Sequence, residues 1–308
     1  QRPIMFVEIW NEPNFQYMIP GDDRPRQEIE AEREALYAKV LPAAYAAIKK
    51  KWPTVAVVGF GAGGSGHGDV RFIQHVHEKN PAVKDSYDIL STHPYVGVPP
   101  ETWVVKSWGG YAMASSLQEI RDILTRFGTL DRPIWYTEVG WTITKEEGGF
   151  YEVRGGTTAL LQAAYICRQY ALSLRLGAQR VHIMFATDTD NTNKGVFARD
   201  GSWRPAAHAV QTMIRIMPNP ALTGAVSDGT DGYYAYVFQP HARSRSAPPP
   251  TVVMAWNVEG PKTVMIPFPA PQVSVTDMLG NTRRAASPGG IVTVEVGPCP
   301  IYIQAAGR

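Results

Sequence analysis

Apolar and polar positions along the chain alternate between a period of two and a period near that of a helix turn. Pro3 to Trp10 reads as a strand, Gln27 to Lys50 as a helix and Thr54 to Gly59 as a second strand. Asp69 to Glu78 then reads as a helix, Tyr87 to Ser91 as a strand, and Leu117 to Phe127 as a helix. Ile134 to Thr137 gives the fourth strand, Thr157 to Leu176 a long helix and Arg180 to Phe185 the fifth strand. A polar loop from Thr187 to Asn193 follows, and a last helix opens near Pro205, where proline suits a first turn. This strand–helix alternation predicts an α/β fold with a parallel sheet.

After about Pro218 the helical period disappears and short alternating strands take over. They run over Tyr233 to Phe238, Thr251 to Asn257, Thr263 to Ile266, Val273 to Asp277, Ile291 to Val296 and Ile301 to Gln304. The pattern is that of a β-sandwich. It divides the chain into residues 1–217 and 218–308. The stretch from His241 to Pro250 is rich in proline and small polar residues, which suits an exposed hairpin extension.

The 308 residues are 44% hydrophobic, enough for a substantial core and for two domains. A formal charge of +2, with Lys49-Lys50-Lys51 as the densest basic run, gives little of the long-range field that nucleic acids or anionic membranes require. Neither is expected as a partner. The longest apolar runs are strand-sized, so no membrane span is expected. Cys167 and Cys299 have no metal-ligand spacing. Cys167 sits in an apolar helical pattern and reads as a buried thiol, with a single disulfide as the other reading.

The most informative segment is Phe6-Val7-Glu8-Ile9-Trp10-Asn11-Glu12-Pro13-Asn14, an apolar strand ending in an amide beside a carboxyl group. A second carboxyl group, Glu138, ends Pro133-Ile-Trp-Tyr-Thr-Glu138-Val-Gly-Trp141. With His93-Pro94-Tyr95 and the Gly195 to Pro205 passage, these segments make the chain resemble the retaining glycoside hydrolases built on (β/α)8 barrels. In that superfamily strand 4 ends in Asn-Glu and strand 7 in Glu. The nearest likeness is to the family of β-xylosidases and α-L-iduronidases, which carry a C-terminal β-sandwich.

The resemblance implies that residues 1–217 form strands 4 to 8 of a TIM barrel. The first three βα units would then come from elsewhere, and a second polypeptide that closes the barrel is expected. It implies a neutral or mildly charged oligosaccharide or polysaccharide as substrate, cleaved by double displacement. Glu12 would be the acid/base and Glu138 the nucleophile, about 5 to 5.5 Å apart. Asn11 would bond the sugar 2-hydroxyl, and His93 and Tyr95 would contact the nucleophile or the sugar. Phe185, Asp188 and Asp190 would be outer substrate contacts. Trp141 reads equally as a sugar platform and as core; Trp10 reads as packing, and Tyr136 is expected on the same side of its strand as Glu138.

No cofactor and no metal is expected. Asp188-x-Asp190-Asn191-x-Asn193 has the oxygen density of a calcium loop but lacks its glycine and final glutamate. The Gly-Ala-Gly-Gly-Ser-Gly-His-Gly run over 61–68 lacks the Gly-Lys-Ser/Thr of a phosphate loop and is better explained as a wide strand-to-helix loop beside a sugar cleft. A uronic-acid-specific glycosidase and a non-catalytic carbohydrate-binding protein are the alternatives. For the first, His67, Lys106 and Lys194 are the basic candidates. A secreted location is favoured if an upstream segment carries the signal.

Overall fold

The structure is a computed structural model that describes residues 3–15, 17–64, 67–102, 112–144, 157–189, 193–240 and 250–306. These form two compact units, one of residues 1–139 and 176–184, the other of residues 140–175 and 185–308.

The first unit holds a five-stranded parallel sheet in the order β1 (Phe6–Glu8), β2 (Ala56–Gly63), β3 (Ile89–His93), β4 (Ile134–Val139), β5 (Arg180–Ile183). Sequential order in a parallel sheet requires a crossover between each pair of neighbours. Helices α1 (Arg26–Lys51), α2 (Gly68–Lys79) and α3 (Met113–Phe127) supply the first three. Strands β2 and β3 are buried almost throughout, as expected of parallel strands covered on both faces. Helix α3 buries Met113, Leu117, Ile120 and Leu124, at helical spacing, and ends at Gly128. Gly128 has a φ of 72°, a left-handed position that favours glycine.

The sheet is curled. The Phe6 ring on β1 lies 4.9 Å from that of Trp135 on β4, three strands away, and the Arg180 guanidinium of β5 lies over both. The geometry is that of part of a barrel, with Phe6, Trp135 and Arg180 filling one layer of its interior.

Two bulges shape the rim. Between Gly59 and Ala62 strand β2 carries one residue more than β3, and Phe60 and Gly61 have φ of 85° and 50°. Strand β4 likewise carries an extra residue between Tyr136 and Val139 against β5. Bulges re-aim side chains at a strand end, and both lie toward the C-terminal ends of their strands.

The second unit contains α4 (Ala159–Leu176), of which Leu176 falls in the first unit, α5 (Pro205–Ile216) and eight antiparallel strands. A six-stranded sheet runs β11 (Thr282–Ala286), β10 (Gln272–Asp277), β13 (Ile301–Ala305), β8 (Val252–Trp256), β7 (Tyr234–Gln239), β6 (Ala221–Asp228). The pair β12 (Ile291–Val296) and β9 (Lys262–Pro267) faces it. Val264, Ile266, Val292 and Val294 pack there on Val253, Val275 and Ile303. Helix α4 meets the other face, where the buried Cys167 thiol reaches Tyr302 and Arg168 donates to the Pro298 carbonyl at 3.2 Å. Both cysteines are free thiols, so the disulfide reading falls.

Strands β6 and β11 are not read from the sequence. Both are sheet edges, mostly exposed, and β11 carries Arg283 and Arg284, so neither shows the apolar alternation of a strand with a buried face. Residues 241–249 of the expected hairpin extension lie outside the described residues.

Candidate active site

Glu12 is brought to the rim by an abrupt turn after β1. Trp10 and Glu12 have φ of 72° and 44°, so the backbone leaves the extended conformation that alternation assumes. The fully buried Tyr37 of α1 holds this turn against the β2 bulge: its hydroxyl donates to the Ile9 carbonyl at 3.0 Å and accepts from the Phe60 amide at 2.7 Å. Asn14 clamps the far side, donating to the Gly63 carbonyl at 2.8 Å and accepting from its amide at 2.9 Å.

The glycine run makes room for these side chains rather than for a phosphate. A Cβ on Gly63 would fall 2.2 Å from the Phe15 ring and 3.0 Å from Glu12 Oε1, and one on Gly61 would meet Glu8 Oε1 at 3.1 Å.

The bulge in β4 turns the consecutive residues Thr137 and Glu138 into the same site. Glu138 Oε2 accepts from the Tyr95 hydroxyl at 2.9 Å. His93, 1% exposed, places Nδ1 at 3.2 Å from Glu12 Oε1 and 3.6 Å from Glu138 Oε2. One atom from each of Glu12, His93 and Glu138 lies within 4.8 Å of the others, a spacing that could also hold a metal ion. Burial pushes the Glu138 carboxyl above the ordinary glutamate value, opposed by His93 and the Tyr95 hydroxyl and reinforced by Glu12 and Glu8. Tyr95 is pushed far up by burial and then by the Glu138 charge, so its hydroxyl stays a donor.

Four of the residues picked out by the sequence thus meet: Glu12, His93, Tyr95 and Glu138. Asn11 lies beside Glu12 on an exposed bend. Tyr136 does not share the Glu138 side: it is fully buried, because the bulge breaks the alternation between them. Trp10, expected to pack, is 48% exposed, turned out by its left-handed backbone.

Trp141, Phe185, Asp188 and Asp190 belong to the second unit. Trp141, read equally as platform and core, is 2% exposed and packs edge-on against Tyr165, with its carbonyl accepting from Gln162 Nε2 at 2.9 Å. This burial corrects the sugar-platform reading. Phe185 is half-buried and its carbonyl accepts from the Val196 amide. Asp188 is buried and commits both oxygens, Oδ1 to the Gly195 amide at 2.7 Å and Oδ2 to an ion pair with Arg204. It pins its own loop instead of offering a free carboxylate. Asp190 and Lys106 lie outside the described residues, and His67 pairs with Glu119 at 3.4 Å.

Glu8, Ser91 and Thr137 were not singled out by sequence. Thr137 donates to Glu8 Oε1 at 2.8 Å, Ser91 donates to the same oxygen at 2.6 Å, and His93 Nε2 lies 3.1 Å from Thr137 Oγ1. The available signal was the charge itself, since Glu8 is an acidic residue in an otherwise apolar strand.

A cavity of about 700 Å³ adjoins Glu12, lined also by Phe15, Tyr17, Arg33, Arg71 and His75. Several of its charges are paired internally, Arg24 with Asp22 and Glu32, Arg26 with Glu30, and His75 with Glu34. Arg33 donates to the Ile19 and Asn14 carbonyls.

No protein-family model matches the chain, and no curated protein sequence matches it. Solved structures do. A family 39 glycoside hydrolase from Bacteroides cellulosilyticus WH2 is 21% identical with a TM-score of 0.69, over 97% of this chain and 57% of that one. The α-L-arabinofuranosidase of Thermotoga maritima is 10% identical with a TM-score of 0.62, over 97% of this chain and 65% of that one. A monomeric β-xylosidase from Caulobacter crescentus CB15 is 14% identical with a TM-score of 0.57, over 96% and 68%. The chain therefore spans a little over half the length of the Bacteroides enzyme. Its fold is the one shared by several glycoside hydrolase families, a curled parallel sheet joined to an antiparallel sandwich.

Proposed function

We propose that the protein is a retaining O-glycoside hydrolase acting on an oligosaccharide or polysaccharide, with Glu12 as acid/base and Glu138 as nucleophile. The observation that carries this is the meeting of Glu12, His93 and Glu138 within 4.8 Å, atom to atom. Such closeness supports direct attack by one carboxylate, for which the two groups stand about 5 to 5.5 Å apart, over the wider spacing of an inverting pair, about 6.5 to 9.5 Å.

In the first step a Glu138 oxygen forms an ester bond to the anomeric carbon as the glycosidic C–O bond breaks, and the Glu12 proton passes to the departing oxygen. In the second, Glu12 takes a proton from water, the water oxygen bonds to the anomeric carbon, and Glu138 leaves as carboxylate. Burial works against an ionised Glu138; the Tyr95 hydroxyl and His93 are what offset it. The leaving group departs on the Glu12 side, toward the cavity that Glu12 lines. Its aromatic faces and internally paired charges suit a neutral, hydroxyl-rich group, and this weighs against the uronic-acid reading.

Strands β1 to β5 would correspond to barrel strands 4 to 8, in a catalytic portion of residues 1–217 followed by the sandwich of 218–308. Ile4, Met5 and Phe6 are 73%, 53% and 40% exposed beside the β1 edge. Their exposure supports closure of the barrel by further strands, from a second polypeptide or elsewhere. Intact-mass analysis of the native assembly tests that point.

The activity is tested by following glycoside hydrolysis by proton NMR. A first-formed sugar with the anomeric configuration of the substrate is expected, with turnover abolished in Glu12→Gln and Glu138→Gln. A first-formed product of opposite configuration would overturn the mechanism, and full activity in Glu138→Gln would overturn the assignment.

A further inference from the structure

We propose that Glu8 is a positioning residue that fixes which nitrogen of His93 carries the proton, and so keeps one shared proton between Glu12 and Glu138. The inference rests on the reading of those two carboxylates as the reacting pair.

It follows from counting protons. Thr137 has one hydroxyl proton, and its bond to Glu8 Oε1 at 2.8 Å uses it. Its oxygen can then only accept from His93 Nε2, 3.1 Å away, so Nε2 must bear a hydrogen. Ser91, which also donates to Glu8 Oε1, is held in place by accepting from the Gly61 amide at 2.8 Å. Its single proton serves either Glu8 Oε1 at 2.6 Å or the Gly59 carbonyl at 2.9 Å, and the exposed Glu8 carboxylate accepts from Thr137 in either case.

With Nε2 protonated, Nδ1 is either bare or the second N–H of an imidazolium. It faces Glu12 Oε1 at 3.2 Å and Glu138 Oε2 at 3.6 Å. A bare lone pair against two carboxylates, in a site where His93 is 1% exposed, is repulsive unless a proton lies among them. One proton is therefore held by the three groups, on Nδ1 or on a carboxyl oxygen. The charged or titratable groups in this network are Glu8 on β1, Glu12 beyond it, Tyr95 beyond β3 and Glu138 on β4. Asp69 bonds instead to Thr92, the strand neighbour of His93.

If Glu8 loses its acceptor, the Thr137 hydroxyl can turn and donate to Nε2. His93 then carries its proton on Nδ1 and donates it to Glu12 Oε1.

The test is nitrogen-15 NMR of histidine-labelled protein together with pH-rate profiles for the parent, Glu8→Leu, Glu8→Gln and Thr137→Ser. His93 of the parent should show a protonated Nε2 at alkaline pH, and Glu8→Leu should move the proton to Nδ1. Turnover in Glu8→Leu should fall about 10- to 100-fold, the range for partners that orient a functional imidazole. Glu8→Gln keeps an acceptor without the charge, and Thr137→Ser keeps the hydroxyl, so both should retain the parent tautomer. A parent His93 protonated on Nδ1 alone, or a tautomer unchanged in Glu8→Leu, would overturn the proposal. A tautomer that moves as described in a protein without glycosidase activity would uphold it and defeat the activity reading instead.

Discussion

Two buried tyrosines of the first unit differ in one respect that a single-atom change can expose. Tyr37 and Tyr136 are both fully buried. The Tyr37 hydroxyl joins the Ile9 carbonyl to the Phe60 amide, whereas among the described residues the Tyr136 hydroxyl meets no hydrogen-bond partner. Tyr37→Phe removes the partner of two backbone groups at once. At about 1 to 2 kcal/mol for each buried group left unpaired, the loss is about 2 to 4 kcal/mol. Tyr136→Phe removes a hydroxyl already desolvated without compensation, so its effect should lie within about 0.5 kcal/mol of zero or be stabilising. Amide hydrogen exchange followed by mass spectrometry reads the first unit separately from the second. Peptides from β2 and β3 should exchange about 30 to 1,000 times faster in Tyr37→Phe and no faster in Tyr136→Phe. Equal acceleration in the two variants would refute the argument that the Tyr37 bonds hold the turn carrying Glu12.

Three further outcomes follow from other parts of the molecule. Gly63→Ala forces the Phe15 ring and Glu12 Oε1 aside, so turnover should drop about a hundredfold, as for a misplacement near 1 Å, in a protein whose circular dichroism is unchanged; parent-like kinetics would show that the site tolerates the shift. Asp188→Ala leaves Arg204 buried without its carboxylate and should destabilise the second unit by about 3 to 5 kcal/mol in urea titration, while a neutral result would show that the pair is replaceable. Burial raises the Glu138 carboxyl, so its contribution to stability is full below the ordinary glutamate value and is lost as pH rises through the raised one. Glu138→Gln should therefore match the parent in acid and become the more stable of the two toward neutral pH, and a gap that narrows over that range would contradict the sign.

The strand–helix order of the first unit was legible because parallel strands such as β2 and β3 are buried on both faces and read as apolar runs. Glu12 and Glu138 stood out as carboxyl groups at the ends of apolar runs, and the structure brings the two together. What alternation could not show is the effect of the two bulges. It placed Tyr136 with Glu138 and Trp10 in the core, and each assignment fails where one extra residue or a left-handed φ resets the period. Trp141 and Asp188 fail for a different reason. Their loop positions promised exposure, yet one is packed on Tyr165 and the other is paired with Arg204, contacts made by residues far along the chain that no local pattern reports.

The interior of the curled sheet also explains why the chemistry gathers at one end. Along β1 and β4 the first interior layer is aromatic, with Phe6 against Trp135 beneath the Arg180 guanidinium. In the next layer the exposed Glu8 carboxylate accepts from the Ser91 and Thr137 hydroxyls. The last, at Glu12, His93 and Glu138, sets two carboxylates beside one imidazole and withdraws them further from solvent, their side chains being 14%, 1% and 19% exposed. That withdrawal is what lets burial raise the Glu138 carboxyl above the ordinary glutamate value. The middle layer meets this last one through Thr137, whose hydroxyl oxygen lies 3.1 Å from His93 Nε2.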